Sequence, residues 1–307
     1  MAEWSPERIV DEALARRLIG AQYPELADAP MTVLGAGWDS TVWLLDGRLV
    51  FRFPRREVVL PGLRREMEAL AQIAPYLPLA IPVTTHPGDP VPEFPWPWAG
   101  SPYLPGRETA DAGLSDADRA RHAGPLGRFL RALHDVDPAD VTADGALLPV
   151  DPVRRADMPY RVDFLSRRLA SLAGLDLWHP PPGLAAELRA ALRLPEPDQL
   201  RICHGDLHLR HMLIGDDGEP SAVIDWIDVC RADPAIDLPL YWGHLPPHAR
   251  PAFLGAYGGA SDDQLLRARV LAVFLWATIA EFAHEGRIEP LLAEALGGLD
   301  RATADLR

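Results

Sequence analysis

The sequence predicts an α+β protein of two lobes, the first small and β-rich, the second larger and mostly helical. Three observations carry that expectation. Residues 41–45 and 49–53 are β-rich runs joined through Asp46-Gly47, which reads as a hairpin. Beyond Gly106, the stretches 116–134, 155–172, 184–193, 262–283 and 288–303 carry apolar residues at helical spacing. Between these regimes lies a proline- and tryptophan-rich connector ending in Leu104-Pro105-Gly106.

In chain order, Ser5-Pro6-Glu7 reads as a helix start, with Ser as cap, Pro in the first turn and an acid near the positive end of the dipole. Ile9, Val10, Ala13, Leu14 and Leu18 then recur on one face. The hairpin follows, and after it a helix with Leu63, Met67, Leu70 and Ile73 on one side. Ile81-Pro82-Val83 reads as extended and leads into Pro95-Trp96-Pro97-Trp98, whose indoles read as packing residues or as the border of a ligand site, packing being the commoner role. Within the helical half, Arg201-Ile202-Cys203, Met212-Leu213-Ile214 and Ala222-Val223-Ile224 form a β insert, with Asp216-Asp217-Gly218 as its turn. Trp242 and Trp276 read as helical core.

Charge excludes several mechanisms. The 307 residues carry 30 basic and 44 acidic side chains, a net charge of −14, and every basic residue is arginine. Without lysine there is no Schiff-base lysine, no pyridoxal-phosphate anchor and no G-x-x-x-x-G-K-[ST] phosphate loop. Net acidity argues against a nucleic-acid binder, which needs clustered positive charge. Cys203 and Cys230 make no disulfide framework, and no secretory leader is evident at Met1-Ala2-Glu3-Trp4. The apolar run 270–280, interrupted by Thr278, is too short to span a bilayer. The expectation is a cytoplasmic monomer without membrane or nucleic-acid partners.

Polar residues concentrate at Cys203-His204-Gly205-Asp206-Leu207-His208-Leu209-Arg210-His211, at Val223-Ile224-Asp225-Trp226-Ile227-Asp228 and at Ala232-Asp233-Pro234-Ala235-Ile236-Asp237. Asp225 follows three apolar residues and so ends a buried strand. A carboxylate there holds a metal or a hydrogen-bond network, because an unpaired buried charge is costly. Taken singly, each Asp reads better as a turn or a cap. Their joint spacing points to a site.

At this density the residues resemble the aminoglycoside/macrolide phosphotransferase family, which has the two-lobed kinase-like fold. The resemblance rests on His204-Gly205-Asp206 followed by His211, and on Ile224-Asp225-Trp226 with Asp225 nineteen positions after Asp206. The pattern parallels the kinase catalytic loop and its later metal-binding Asp. It continues through Arg231–Asp237, and upstream through Leu34-Gly35-Ala36-Gly37-Trp38-Asp39-Ser40 and Val50–Arg56, covering roughly residues 31 to 240. It implies a nucleotide-binding lobe over 1–100, an interlobe hinge at 101–106 and a catalytic, acceptor-binding lobe over 107–307.

The activity implied is transfer of the γ-phosphate of ATP or GTP, with Mg²⁺, to a hydroxyl of an aminoglycoside or macrolide, and with it antibiotic resistance. By the resemblance, Asp206 is the catalytic base and Asp225 and His211 bind the metal. Gly35, Gly37, Ser40, Arg52, Glu66 and His208 serve the nucleotide, Glu66 by orienting the basic phosphate clamp. Asp237 braces the catalytic loop. Two departures stand out. His211 occupies a position where the kinase pattern has Asn, and imidazole is a softer donor than an amide oxygen. The clamp lysine is absent, leaving Arg52 as the positional substitute, with Arg55 and Arg56 as alternatives.

Other readings remain open at this stage. One is a phosphotransferase for another hydroxylated metabolite, and another a nucleotide-binding pseudokinase. A metallohydrolase would place His204, Asp206 and His208 on one face of a strand. Acidic residues of the last helices (Asp262, Asp263, Glu281, Glu285) are candidates to meet a cationic acceptor or to form a solvated face.

Overall fold

The computed structural model describes residues 6–37 and 39–306. They form two compact units, one of residues 6–75, 81–104 and 141–147, the other of residues 76–80, 105–140 and 148–306.

The first helix, α1 (Glu12–Gln22), begins later than its sequence predicts. Its cap is Asp11, whose side chain accepts from Leu14 N at 2.8 Å. Residues 6–11 are not helical, and Glu7 N and Arg8 N donate to Arg55 O instead. Ser5, the expected cap, lies outside the described residues. Strands β1 (Met31–Ala36), β2 (Ser40–Leu45) and β3 (Leu49–Pro54) follow. Asp46 and Gly47 both take the left-handed conformation (φ 51° and 63°), so the turn dipeptide does what its residue types favour. Helix α2 spans Leu60–Ile73.

The proline-rich connector is structured differently from its sequence reading. Residues 81–83 are not a strand; β4 is His86–Gly88 and β5 is Trp98–Pro102. Small residues in β5 mute its strand propensity, but tertiary packing selects them: a Cβ on Gly100 would lie 2.4 Å from the Phe51 ring. The chain continues with β6 (Arg107–Glu108), α3 (Asp116–His134), β7 (Thr142–Ala143), β8 (Ala146–Leu147), α4 (Met158–Gly174), α5 (Leu184–Ala191), β9 (Arg201–Cys203), β10 (Met212–Ile214), β11 (Pro220–Val223), β12 (Cys230–Ala232), α6 (Pro239–Gly243), α7 (Arg250–Tyr257), α8 (Asp262–Gly286) and α9 (Glu289–Ala302).

The first unit is built on an antiparallel sheet of order β1-β2-β3-β5-β4. Its core joins Leu18 and Ile19 of α1 to Trp43, Phe51, Phe53, Phe94, Trp96 and Trp98, so both tryptophans of the connector are buried packing residues. In the second unit, α3 and α8 start with reciprocal capping boxes, Ser115 with Asp118 and Ser261 with Gln264. The long α8 packs against α4, α6 and α9, which buries most of its circumference. Trp276 is fully buried there, while Trp242 lies under the Arg269 guanidinium, 3.7 Å from its ring centre. Among the described residues, no helix is long and apolar enough to cross a membrane.

Candidate active site

In the first unit, Gly35 is the penultimate residue of β1, near the turn into β2, where Gly37 N donates to Ser40 O at 3.0 Å. A Cβ at Gly35 would meet nothing within 4 Å, and one at Gly37 only Ser40 O at 3.9 Å. Among the described residues, the space on the Cβ side of both glycines is thus unfilled. Two arginines hold this turn rather than project from it: Arg55 Nη1 donates to Gly37 O at 2.6 Å, and Arg56 pairs with Asp39. Trp38 lies outside the described residues. Arg52, on β3, reaches from the sheet to Glu66 on α2, Nη2 to Oε2 at 2.6 Å. Glu66 is 1 % exposed, so the carboxylate is held by its ion pair.

In the second unit, residues 204–211 form a loop between β9 and β10. They are not a strand, so His204 and His208 do not share a strand face with Asp206, as a metallohydrolase reading requires. Asp237 braces the start of the loop, accepting from His204 N at 2.7 Å and Gly205 N at 3.0 Å. It is fully buried and backed by His134 Nε2 at 3.2 Å, whose Nδ1 faces the Tyr257 hydroxyl at 2.7 Å. Gly205 has φ 90°, and a Cβ there would lie 2.3 Å from Asp228 O. His204 accepts from Asp206 N at Nδ1 (3.1 Å) and therefore donates from Nε2 to Ile224 O (3.0 Å). Burial pushes its pKa down, which favours that neutral form.

The loop presents Asp206 with its carboxylate about a quarter exposed: Oδ1 lies 2.9 Å from Arg155 Nη2 and Oδ2 3.7 Å from His208 Nε2. Burial pushes this carboxyl up, but Arg155, then His208 and His211, outweigh it and hold the group well below the usual carboxylate range. Burial and His211 keep His208 well below the ordinary histidine value.

His211 and Asp225 terminate the two strands of one hairpin. His211 precedes β10, Asp225 closely follows β11, and Ile224 N donates to His211 O at 2.9 Å. Asp225 has φ 64°, a left-handed conformation that Asp adopts more readily than most residues. His211 Nδ1 lies 2.8 Å from Asp206 O. A carbonyl only accepts, so Nδ1 carries a proton and the lone pair of a neutral imidazole sits on Nε2. That Nε2 faces Asp225 Oδ2 at 3.3 Å. Two electron-rich atoms so placed repel unless a proton or a cation lies with them. Adjacent ligands of a small octahedral cation, each at ~2.1 Å, stand about 3 Å apart, so a cation of that size can bridge the pair. The backbone carbonyl on Nδ1 is the partner that usually orients a metal-binding imidazole. Asp206, His208 and His211 also bring ligand atoms within 4.8 Å of one another.

The structure thus gathers Asp206, His208, His211 and Asp225 in one unit and Gly35, Gly37, Ser40, Arg52 and Glu66 in the other. Sequence reasoning missed Arg155, because helical periodicity assigned it to the start of a helix over 155–172. The helix instead starts at Met158 with Asp157 as cap, and Arg155 sits in the preceding turn. Asp228 was visible as part of a cluster, but nothing in its spacing marked it as an arginine partner. The acidic residues of α8 do not form one surface: Asp262 and Glu281 are about 28 Å apart along the helix, and Glu281 pairs with Arg168.

A five-stranded antiparallel sheet with its buried arginine–glutamate pair, and a helical unit carrying this loop and hairpin, define a kinase-like small-molecule phosphotransferase fold. Residues 30–282 match the profile of the phosphotransferase enzyme family, and the chain belongs to that family. Among solved structures, it is similar to the GDP and kanamycin complex of APH(2")-IIia, at 19 % identity and a TM-score of 0.70 over 95 % of this chain and 98 % of that one. It also resembles the GDP complex of wild-type aminoglycoside 2'-phosphotransferase-IIIa, at 18 % identity and a TM-score of 0.66 over 96 % and 99 %. Macrolide 2'-phosphotransferase MphH from Brachybacterium faecium, as apoenzyme, matches at 22 % identity and a TM-score of 0.60 over 94 % and 98 %. At these identities the likeness is one of fold. Comparison with curated proteins returns no match.

Proposed function

We propose that this protein transfers the γ-phosphate of ATP or GTP to a hydroxyl of an antibiotic-like acceptor, an aminoglycoside or a macrolide. The observation that carries the reading is the junction of Asp206 with His211 and Asp225: an ionised carboxylate beside two ligands aimed at one point. Asp206 accepts the acceptor's hydroxyl proton as the oxygen forms its bond to phosphorus and the bridging oxygen departs with the nucleoside diphosphate. Such chemistry asks the protein for positioning and charge neutralisation. His211 and Asp225 would hold Mg²⁺, which neutralises charge on the phosphates when bound. Arg52, oriented by Glu66, grips phosphate oxygens in the role lysine has in kinases. The open backbone at Gly35 and Gly37 admits the phosphates, with Ser40 as a further donor and His208 as a neutral one.

Residues 1–100 are read as the nucleotide-binding portion, 101–106 as a hinge and 107–307 as the catalytic and acceptor-binding portion. The two free thiols suit a reducing, cytoplasmic compartment, and the protein is read as a monomer. The test is a panel of aminoglycosides, macrolides and other hydroxylated metabolites, each incubated with ATP or GTP and Mg²⁺ and assayed for a phosphorylated product by mass spectrometry. Tight nucleotide binding without transfer to any acceptor would sink the enzyme reading in favour of a pseudokinase.

A further inference from the structure

Arg155 occupies a turn constructed around it. Asp151 and Arg154, at the two ends of that turn, both take left-handed conformations (φ 34° and 56°), although neither is glycine. The Asp151 carboxylate accepts from Arg155 N at 2.7 Å and from Ala156 N at 2.8 Å. The Arg161 guanidinium closes the turn from α4, donating to Arg154 O at 3.0 Å and to Val153 O. Asp151 N donates to Arg231 O at 3.0 Å, which ties the turn to β12. Strained, non-glycine backbone persists where surrounding structure over-determines it, and such places cluster at functional sites.

What this turn presents is a single nitrogen shared by two carboxylates. Arg155 Nη2 lies 2.9 Å from Asp206 Oδ1 and 2.6 Å from Asp228 Oδ2, with the arginine side chain only 12 % exposed. Asp206 Oδ1 is thereby engaged in an ion pair, whereas Oδ2 stands 3.7 Å from His208 Nε2, beyond hydrogen-bond distance. We infer that Arg155 is a positioning residue that locks the Asp206 carboxylate through Oδ1, so that Oδ2 alone faces the acceptor hydroxyl, with Asp228 anchoring the guanidinium from the other side. The inference rests on the phosphotransfer reading above. It explains why an arginine is buried here: a planar guanidinium presents one nitrogen to both carboxylates in a fixed direction, which a flexible ammonium does not.

The experiment compares wild type, Arg155→Ala and Arg155→Lys with ATP or GTP and with kanamycin and a macrolide as acceptors. Arg155→Ala is expected to lower kcat about 100-fold, the scale of a misaligned reacting group, with the nucleotide KM within about twofold of wild type. Added guanidinium ion should restore about tenfold of that loss, which a merely structural side chain would not allow, and Arg155→Lys should fall between. Retained kcat in Arg155→Ala, or a loss that guanidinium leaves untouched in a normally folded variant, overturns the assignment. Should Arg155→Ala fail to fold, Arg155→Lys and Asp228→Asn carry the kinetic comparison, and wild-type kcat in both overturns it. A crystal structure of the folded Arg155 variant is the arm independent of turnover: a displaced Asp206 carboxylate supports the inference, and an undisturbed one overturns it. Absence of transfer by the wild type itself defeats the functional reading instead, and the crystallographic arm then decides the inference alone.

Discussion

Arg52 reaches across from β3 to α2 and places Nη2 2.6 Å from Oε2 of Glu66, a carboxylate that is 1 % exposed. In a chain without lysine, this is where the sheet of the first unit sets a cation against a buried acid. Removing one member of a buried pair strands the other, at a cost of about 3 kcal/mol or more. Arg52→Ala is therefore expected to lower the unfolding free energy by that order and to raise the nucleotide KM about tenfold or more. Denaturant melts and initial-rate kinetics check the two effects separately. Arg52→Lys, which keeps the charge but loses the planar fork, should recover most of the stability and less of the affinity.

Asp206 carries the proton-accepting role in the proposed reaction. Asp206→Asn keeps the volume and removes the basicity, so kcat should fall by about 10²- to 10⁴-fold while the nucleotide still binds. A thermal-shift titration with ADP or GDP measures binding, and product formation measures turnover. Loss of both together would mean that the side chain holds the loop rather than the proton.

His211 offers nitrogen where an amide oxygen would be harder. Imidazole suits later first-row metals better than it suits Mg²⁺. The ratio of activity with Mn²⁺ to activity with Mg²⁺ should therefore be higher in wild type than in His211→Asn. Asp225→Asn should weaken the dependence on either ion. An unchanged metal ratio in His211→Asn would remove His211 from the ligand set.

Stability should fall on the acid side because of a histidine pair outside this site. His122 Nδ1 lies 3.0 Å from His244 Nε2, and Arg119 Nη1 lies 3.0 Å from His244 Nδ1. Arg119 can only donate, so His244 accepts at Nδ1 and donates to His122, which in turn donates from Nε2 to Gly218 O at 2.7 Å. Both rings are neutral in this chain of bonds. Burial, then the adjacent Arg119, pushes His244 well below 6.5, and burial also lowers His122. Folded-state values depressed below 6.5 mean that the unfolded chain binds more protons, so stability is intact above about pH 6.5 and lost as pH falls beneath it. Each ring contributes up to about 1.4 kcal/mol per pH unit over that window. Melting temperatures from pH 7.5 to 5 in wild type and His122→Gln provide the check, and the variant should show the shallower slope.

Much of the second unit was legible because its helices carry their own signals. α3 and α8 start at Ser-x-x-Asp and Ser-x-x-Gln boxes, and their apolar spacing is regular. The β2–β3 hairpin was equally plain from Asp46-Gly47. The sequence was silent where a neighbour supplies the reason: Gly100 belongs to β5 because Phe51 leaves no space for a Cβ. Asp11 caps α1 in place of the start that the capping chemistry of Ser5-Pro6-Glu7 suggested. In the candidate site, Asp206, His211 and Asp225 announced themselves by spacing along the chain. Arg155 lies 51 positions before Asp206, and its helical flank disguised a turn that only the fold makes visible.

The hairpin of β10 and β11 turns metal geometry into a matter of counting. His211 and Asp225 sit at its two free ends, and the pairings Met212 with Val223 and Leu213 with Ala222 set their separation. Side chains alternate along a strand, so a slip of one residue in this pairing would turn the ladder's side chains over and displace the ligand-bearing ends against each other, while leaving composition and hydrophobicity intact. The irregular step between Leu213 and Ile214, and the turn beyond it at 215–219, lie on the far side of those pairs and can absorb changes in length. A residue inserted in the turn is thus tolerable, whereas one inserted between His211 and Leu213 is not. Over these few positions the chain is constrained less by which residues it uses than by whether their number is odd or even.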